Sequence, residues 1–389
     1  MNSNDNLPTE VVSAIRQVVG NGKHTLHQPS FSSLEVSMVS ECIESTFVSS
    51  SGYFVDKFEK SLAEYTGANF AVAVVNGTSA LHLALNVAEV SAGDEVLIPA
   101  LSFIATANAV SYCNAIPHFV EVESETLGID ADKLERYLVS ICELRDSECF
   151  NRITNRRIRA LVPMHTFGHP SNLERLLEVC KQFNIVLIED AAESLGSLYK
   201  GKHTGTIGTM GVFSFNGNKI LTTGGGGAVV TDSQELARKL KHLSTTGKVS
   251  HKWEFNHDVI GFNYRMPNLN AALGCAQFTK LTKFIESKRE LYLRYKSAFL
   301  QIDGITLFGE AKDTYSNYWL QTIILDESVA HQRDSILQQT HEVGLMCRPA
   351  WTLLSDLEPY FETPRMDLSF TRSLASRIIN IPSSPDLIG

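Results

Sequence analysis

The chain has 389 residues, of which 43% are hydrophobic and 20% charged, and a formal net charge of −9. That length passes the roughly 250–300 residues at which single cores stop growing, so a large domain and a smaller one are expected. The acidic balance argues against a general nucleic-acid or anionic-membrane binder, and the ordinary composition against a fibre or a disordered tail.

From the amino terminus, Met1–Asp5 lacks the basic and apolar regions of a secretory leader. No run approaches the ~18 apolar residues of a membrane span, so a soluble cytoplasmic protein is expected. Val11, Val12, Ile15, Val18 and Val19 are spaced for a short helix over residues 9–19, ended by Gly20-Asn21-Gly22. Residues 1–30 read as an amino-terminal appendage.

Residues 31–270 read as the large domain. Strands are expected at Phe70–Val75, Glu95–Pro99 and His118–Val122, with helices opening at Thr78 and Ile104 between them. A helix over Asp132–Ser140 and a polar insertion precede a strand at Arg159–Met164, a helix at Leu173–Phe183 and the apolar run Ile185–Ile188. This β-then-α succession predicts an α/β fold with a mostly parallel sheet between helices. Residues 271–389 read as a linking helix, Ala271 to about Leu300, and a small C-terminal α+β domain with a strand at Trp319–Leu325 and a helix at Gln332–Val343. Seven cysteines with no C-x-x-C pair signal neither a disulfide framework nor a zinc site, and no metal is expected. Arg152, Arg156, Arg157 and Arg159 cluster before a strand, where a solvated loop accounts for them.

The chemistry concentrates at strand ends. Glu189-Asp190-Ala191-Ala192-Glu193 carries acids out of an apolar strand to the end where open α/β sheets bind ligands. Lys219 follows in Ser214-Phe215-Asn216-Gly217-Asn218-Lys219. A lysine held near such an acid suits pyridoxal phosphate chemistry, which needs an amine to form the Schiff base and a carboxylate to keep the pyridine nitrogen protonated. Asn76-Gly77-Thr78-Ser79-Ala80 leaves one strand and opens a helix, where backbone N–H groups favour an anion such as a phosphate; the same residues also make an ordinary turn and N-cap. Phe103, just past another strand, is placed either to stack on a flat heterocycle or to pack in the core. Thr222–Gly227 lacks the G-K-[ST] of a P-loop and precedes a strand, so it reads as a tight turn.

The order Asn76–Ala80, Glu189–Glu193, Ser214–Lys219 and Gly261-Phe262-Asn263-Tyr264-Arg265-Met266 resembles the DegT/DnrJ/EryC1/StrS family of sugar aminotransferases over about residues 30–385. The resemblance implies a fold-type I pyridoxal phosphate enzyme, homodimeric, with active sites at the subunit interface. It makes Lys219 the Schiff-base lysine and proton shuttle and pairs Asp190 with the pyridine nitrogen. Glu193 falls where the family often has Gln or His near the phenolic oxygen. Thr78, Ser79 and Ser214 become phosphate ligands, Phe103 the stacking ring, and Asn263 a phosphate contact from the partner subunit. In the family's dehydratase branch a histidine replaces the lysine, so Lys219 favours transamination.

Leu26-His27-Gln28-Pro29, His165-Thr166-Phe167-Gly168-His169-Pro170 and Thr222–Gly227 resemble a subgroup acting on UDP-linked 4-keto-6-deoxy-N-acetylhexosamines, with glutamate as the family's usual donor. That makes UDP-2-acetamido-4-keto-2,6-dideoxyhexose the expected acceptor, aminated at C4 for a surface polysaccharide. The alternatives are a 3-keto sugar, a GDP- or dTDP-sugar, or a pyridoxal phosphate lyase on the same fold. Arg265 and Arg348 are further candidates for substrate anions.

Overall fold

The computed structural model describes residues 6–388. Its centre is a sheet built, in chain order, from β1 (Phe70–Val74), β2 (Glu95–Pro99), β3 (Ile116–Val120), β4 (Arg156–Leu161), β5 (Val186–Asp190), β6 (Met210–Ser214) and β7 (Gly227–Thr231). Their spatial order is β1-β7-β6-β5-β4-β2-β3. The run from β6 to β3 is parallel, and β7 is antiparallel to both β1 and β6. Strands such as β2 and β7 are buried along their whole length, as expected of a sheet covered on both faces.

Among the described residues, twelve α-helices accompany the sheets: α1 (Leu7–Val19), α2 (Ser33–Glu44), α3 (Tyr53–Thr66), α4 (Gly77–Val87), α5 (Ile104–Tyr112), α6 (Ala131–Ile141), α7 (Leu173–Phe183), α8 (Gln234–Ser244), α9 (Asn268–Phe278), α10 (Leu281–Phe299), α11 (Arg333–Glu342) and α12 (Ser369–Ala375). Boundaries follow local chemistry. The Asn172 side chain caps α7, and Asn184 ends it in the left-handed region that asparagine tolerates. The polar insertion is a hairpin, Cys142–Arg145 against Glu148–Asn151, added antiparallel to the start of β4.

One difference concerns the expected single helix from Ala271 to Leu300, which is two. The Thr279 hydroxyl takes the Ala276 carbonyl at 2.7 Å, competing with the helix ladder. The break sets Gln277 and Lys280 against buried Glu35. The arginine cluster is spent on structure: Arg157 makes a forked pair with Asp94 at 3.0 and 2.7 Å and also reaches Glu148.

The smaller unit holds an antiparallel sheet of β8 (Ile305–Leu307), β9 (Gln321–Leu325), β10 (Arg348–Pro349) and β11 (Ile378–Ile381), ordered β8-β9-β11-β10. Leu7, Val11, Ile15 and Val19 of α1 lie in one buried cluster with Leu291 and Tyr295 of α10, Ile336 of α11 and Ile323 of β9. The first helix is thus an integral layer of that unit, and residues 24–26 continue the attachment by hydrogen bonds to Gly344, Met346 and Ser383.

Asn268 ties the start of α3 to the rest of the large domain. Gly52 at the N-cap has no side chain to offer, and the buried Asn268 carbonyl accepts from the amides of Phe54 and Val55 at 2.9 and 3.1 Å. Its amide donates to Phe47 O at 2.6 Å. Asn268→Ala should lower the unfolding free energy by about 2–4 kcal/mol through these orphaned groups, seen as a shifted urea midpoint at unchanged slope.

Candidate active site

The carboxyl ends of β1, β2, β4, β5 and β6 open on one side of the sheet, and a cavity of about 410 Å³ lies there. Among the residues lining it are Thr78, Phe103, Asp190, Glu193, Ser214 and Lys219, together with Trp319 and Trp351. Ser79, Asn263, Arg265 and Arg348 do not line it. Ser79 is buried at the third position of α4, its amide held by Asn76 Oδ1 at 2.7 Å. Asn263 is exposed on the surface, in a bridge to Thr245. Arg348, on exposed strand β10, is also outside the cavity.

Strand alternation separates the two acids of β5. Glu189 turns to His165 Nε2 at 3.0 Å and to the amides of Gly205, Ile207 and Gly208 at 2.6–2.7 Å. Burial raises its pKa, but these donors outweigh burial and hold it below the usual range. Glu189 therefore anchors a loop. Asp190 faces the cavity: Oδ2 accepts from the Thr106 hydroxyl at 2.8 Å and Oδ1 from the Ala192 amide at 3.2 Å. Burial pushes its carboxyl up, against the opposing pull of these two bonds, Lys219 and His165.

Lys219 is carried by a loop stitched to both strands that flank it. Phe215 N donates to Gly226 O at 2.8 Å, Thr223 N to Phe215 O at 3.0 Å, and Lys219 N to Asn216 O at 3.0 Å. Its ammonium sits 3.1 Å from Glu193 Oε1 and 3.9 Å from the centre of the Trp319 ring. Burial drives the Glu193 carboxyl up to about 7, opposed by Lys219 and by the Phe167 amide on Oε2 at 3.0 Å. Asn317 donates to the carbonyls of Glu193 and Leu195 while accepting from Trp319 N, and so ties the tryptophan to the acid.

The mouth of α4 is shaped for an anion. Asn76 satisfies Ser79, and among the described residues the amides of Gly77 and Thr78 have no hydrogen-bond partner. Backbones approach closely here. A Cβ on Gly77 would lie 2.9 Å from Ser214 Cβ, and one on Gly227 2.5 Å from the Asn76 carbonyl carbon. A phosphate at this helix start, a pyridinium N–H at the buried Asp190 carboxylate and a carbonyl carbon within reach of Lys219 match the three reactive ends of pyridoxal phosphate. The chain thus presents the site of a fold-type I pyridoxal phosphate aminotransferase.

Comparison with known proteins agrees. The DegT/DnrJ/EryC1/StrS aminotransferase family model matches residues 29–389, and the chain belongs to that family, whose cofactor is pyridoxal phosphate. It is a nucleotide-sugar aminotransferase. The chain is 37% identical to the GDP-perosamine synthase of Escherichia coli O157:H7 over 93% of both chains. It is 33% identical to that of Caulobacter vibrioides over 90% of both. The crystal structure of the aminotransferase TlmJ from Streptoalloteichus hindustanus superposes with a TM-score of 0.84 at 27% identity, covering 93% of this chain and 94% of that one.

Sequence reasoning missed Thr106, Trp319 and Trp351. Thr106 looks like any helical threonine until α5 is packed beside β5. Two of the chain's three tryptophans line the cavity, a signal that composition offered and position in the chain concealed.

Glu193 titrates higher when folded than its ordinary 4.5. Between about 4.5 and 7 the folded state therefore holds the extra proton, and stability falls as pH rises through that window. Glu193→Gln in the cofactor-free protein should flatten this slope, measured by urea unfolding at pH 5 and 8.

Proposed function

We propose that this enzyme takes an amino group from glutamate and places it on C4 of UDP-2-acetamido-4-keto-2,6-dideoxyhexose, in the synthesis of a surface-polysaccharide sugar. The observation that carries the catalytic assignment is the convergence of Lys219 and Asp190 on one cavity. When bound, pyridoxal phosphate supplies an electron sink for the carbanion left by proton removal. Asp190 would hold the ring nitrogen protonated, and that positive partner would relieve the carboxylate's burial. Lys219 Nζ would hold the cofactor at rest, then act as the base that takes the α-proton of the donor and, in the second half-reaction, as the acid that delivers a proton to the sugar carbon that becomes amine-bearing. Glu193, beside that amine, accepts or returns its proton near neutrality. Thr78 and Ser214 would hold the phosphate and Phe103 would cover the ring.

The UDP-acetamido reading is supported by the three stretches that carry the subgroup resemblance. His165–Pro170 includes the amide that holds Glu193, Thr222–Gly227 braces the Lys219 loop, and Leu26 packs into the cluster containing Ile220 and Leu221. A GDP-linked keto sugar is the second reading, favoured by the identity to the E. coli GDP-perosamine synthase.

Asn263 enters the site from a second copy in this proposal. Supporting it, Phe47, Tyr53, Trp253 and Phe255 are exposed and Ile260, three residues before Asn263, is 90% exposed, large apolar side chains that a second copy would cover.

Three outcomes are expected. Glutamate should bleach the visible band of the cofactor-loaded enzyme and the UDP-4-keto sugar should restore it; restoration by GDP- but not UDP-linked keto sugars selects the second reading. Lys219→Ala should cut turnover by at least about 10³-fold, and Asp190→Asn by about 10²–10³-fold, in steady-state assays. Mixing inactive Lys219→Ala with a weakened Asn263→Ala should regenerate activity, because one site of the mixed dimer carries both native residues; no recovery rules out the shared site.

A further inference from the structure

The short turn Thr166–Gly168 carries a strained residue to the edge of the site. Phe167 stands at φ 56° and ψ 16°, in the left-handed region that a Cβ makes costly. Among the described residues, the only other buried non-glycine residues in that region are Leu127 and Tyr318; the rest lie in exposed or half-buried turns. Strain of this kind persists only where the surroundings over-determine it, and it concentrates at functional sites.

The turn is anchored from several sides. Leu320 N donates to Phe167 O at 3.2 Å, Gly168 N to His165 O at 3.1 Å, and the hydroxyls of Ser197 and Ser316 donate to Gly168 O at 2.7 and 3.1 Å. Gly168, at φ 98°, has no room for a side chain, because a Cβ there would run into Asn317 Oδ1. The Phe167 ring is fully buried, its centre 5.0 Å from that of Trp351 in the cavity wall. What the turn delivers to the site is one N–H. Phe167 N donates to Glu193 Oε2 at 3.0 Å, which leaves Oε1 for the Lys219 amine at 3.1 Å. The peptide unit carrying that N–H turns with φ of Phe167, so leaving the left-handed region swings the donor off Glu193 or breaks the anchors.

We propose that Phe167 is a positioning residue for proton transfer at Lys219: its left-handed backbone, rather than its ring, aims the amide that holds Glu193 with one oxygen turned to the amine. This rests on the role of Glu193 as the group that accepts and returns that amine's proton. Burial drives the Glu193 carboxyl up to about 7, and the Phe167 amide and Lys219 oppose it, so losing the amide raises the carboxyl further. Around Glu193 stand Asp190, whose charge also raises it, and His165, spent on Glu189 and the Ser171 amide. His169 and His203 are held by burial down to about 3 and about 4, and the contact from the small unit is the uncharged Asn317.

Isoleucine and leucine separate backbone from packing, because they are isomers and only the β-branch of isoleucine strongly resists the left-handed region. In the cofactor-free protein, the loss of urea-unfolding stability between pH 5 and 8 should be larger for Phe167→Ile than for wild type, and Phe167→Leu should match wild type. Adding Glu193→Gln should cancel the excess, which locates it at that carboxyl. In the cofactor-loaded enzyme, the limb of the glutamate half-reaction rate that rises with pH, followed by bleaching of the visible band, should move up by about one pH unit in Phe167→Ile and stay in place in Phe167→Leu. If Phe167→Ile does not fold, Phe167→Gly decides: it deletes the ring yet adopts the left-handed region freely, and should keep the wild-type pH dependence in both measurements. Equal behaviour of the Ile and Leu variants, an excess that survives Glu193→Gln, or a pH dependence altered in Phe167→Gly overturns the positioning role. A limb that Glu193→Gln alone leaves in place overturns instead the role of Glu193 as proton partner, since the cofactor-free comparison tests the positioning independently.

Discussion

The structure depends on keeping two acids and an amine out of water at one edge of a parallel sheet. Asp190, Glu193 and Lys219 are all removed from bulk solvent, where an ionised group is expensive unless it is paired. Lys219 and Glu193 answer each other. Asp190 has only a hydroxyl and one amide on its side chain, so its carboxylate is the group that gains most from a cationic ring nitrogen. The same desolvation that raises both acids makes any charge brought to the cavity count for more than it would in water.

Holding that arrangement takes more of the chain than the site itself. Glu189, one residue before Asp190 and on the opposite face, gathers three loop amides and His165 so that the strand end cannot fray. Asn317 clamps Trp319 to the Glu193 backbone, and Trp319 Nε1 donates to Asn218 O at 2.7 Å, next to Lys219. The small unit therefore furnishes a wall of the cavity. Through α1 and the strap after it, residues 7–28 are bonded into that wall's support.

Much of this could be read from the order of residues. β2 and α7 fall where apolar runs and caps place them, and the acids leaving β5 and the lysine after β6 point to the site without any structure. Short-range chemistry governs those features: period, caps and the rule that parallel sheets bind ligands at their carboxyl ends. The break at Phe278–Leu281 was not legible, because periodicity continues across it and Glu35, the acid that Lys280 and Gln277 reach, lies some 240 positions earlier.

By itself, then, the sequence determined the class of fold and the cofactor chemistry, since Lys219, Asp190 and the Asn76–Ser79 turn each sit at a strand end that local patterning locates. Tertiary structure decided which neighbours tune them. Thr106 on Asp190, Trp319 under Lys219 and the bonding of the strap after α1 to Ser383 join residues 84 to 357 positions apart. Contacts over such separations arise only when helices and strands pack, so no local spacing encodes them.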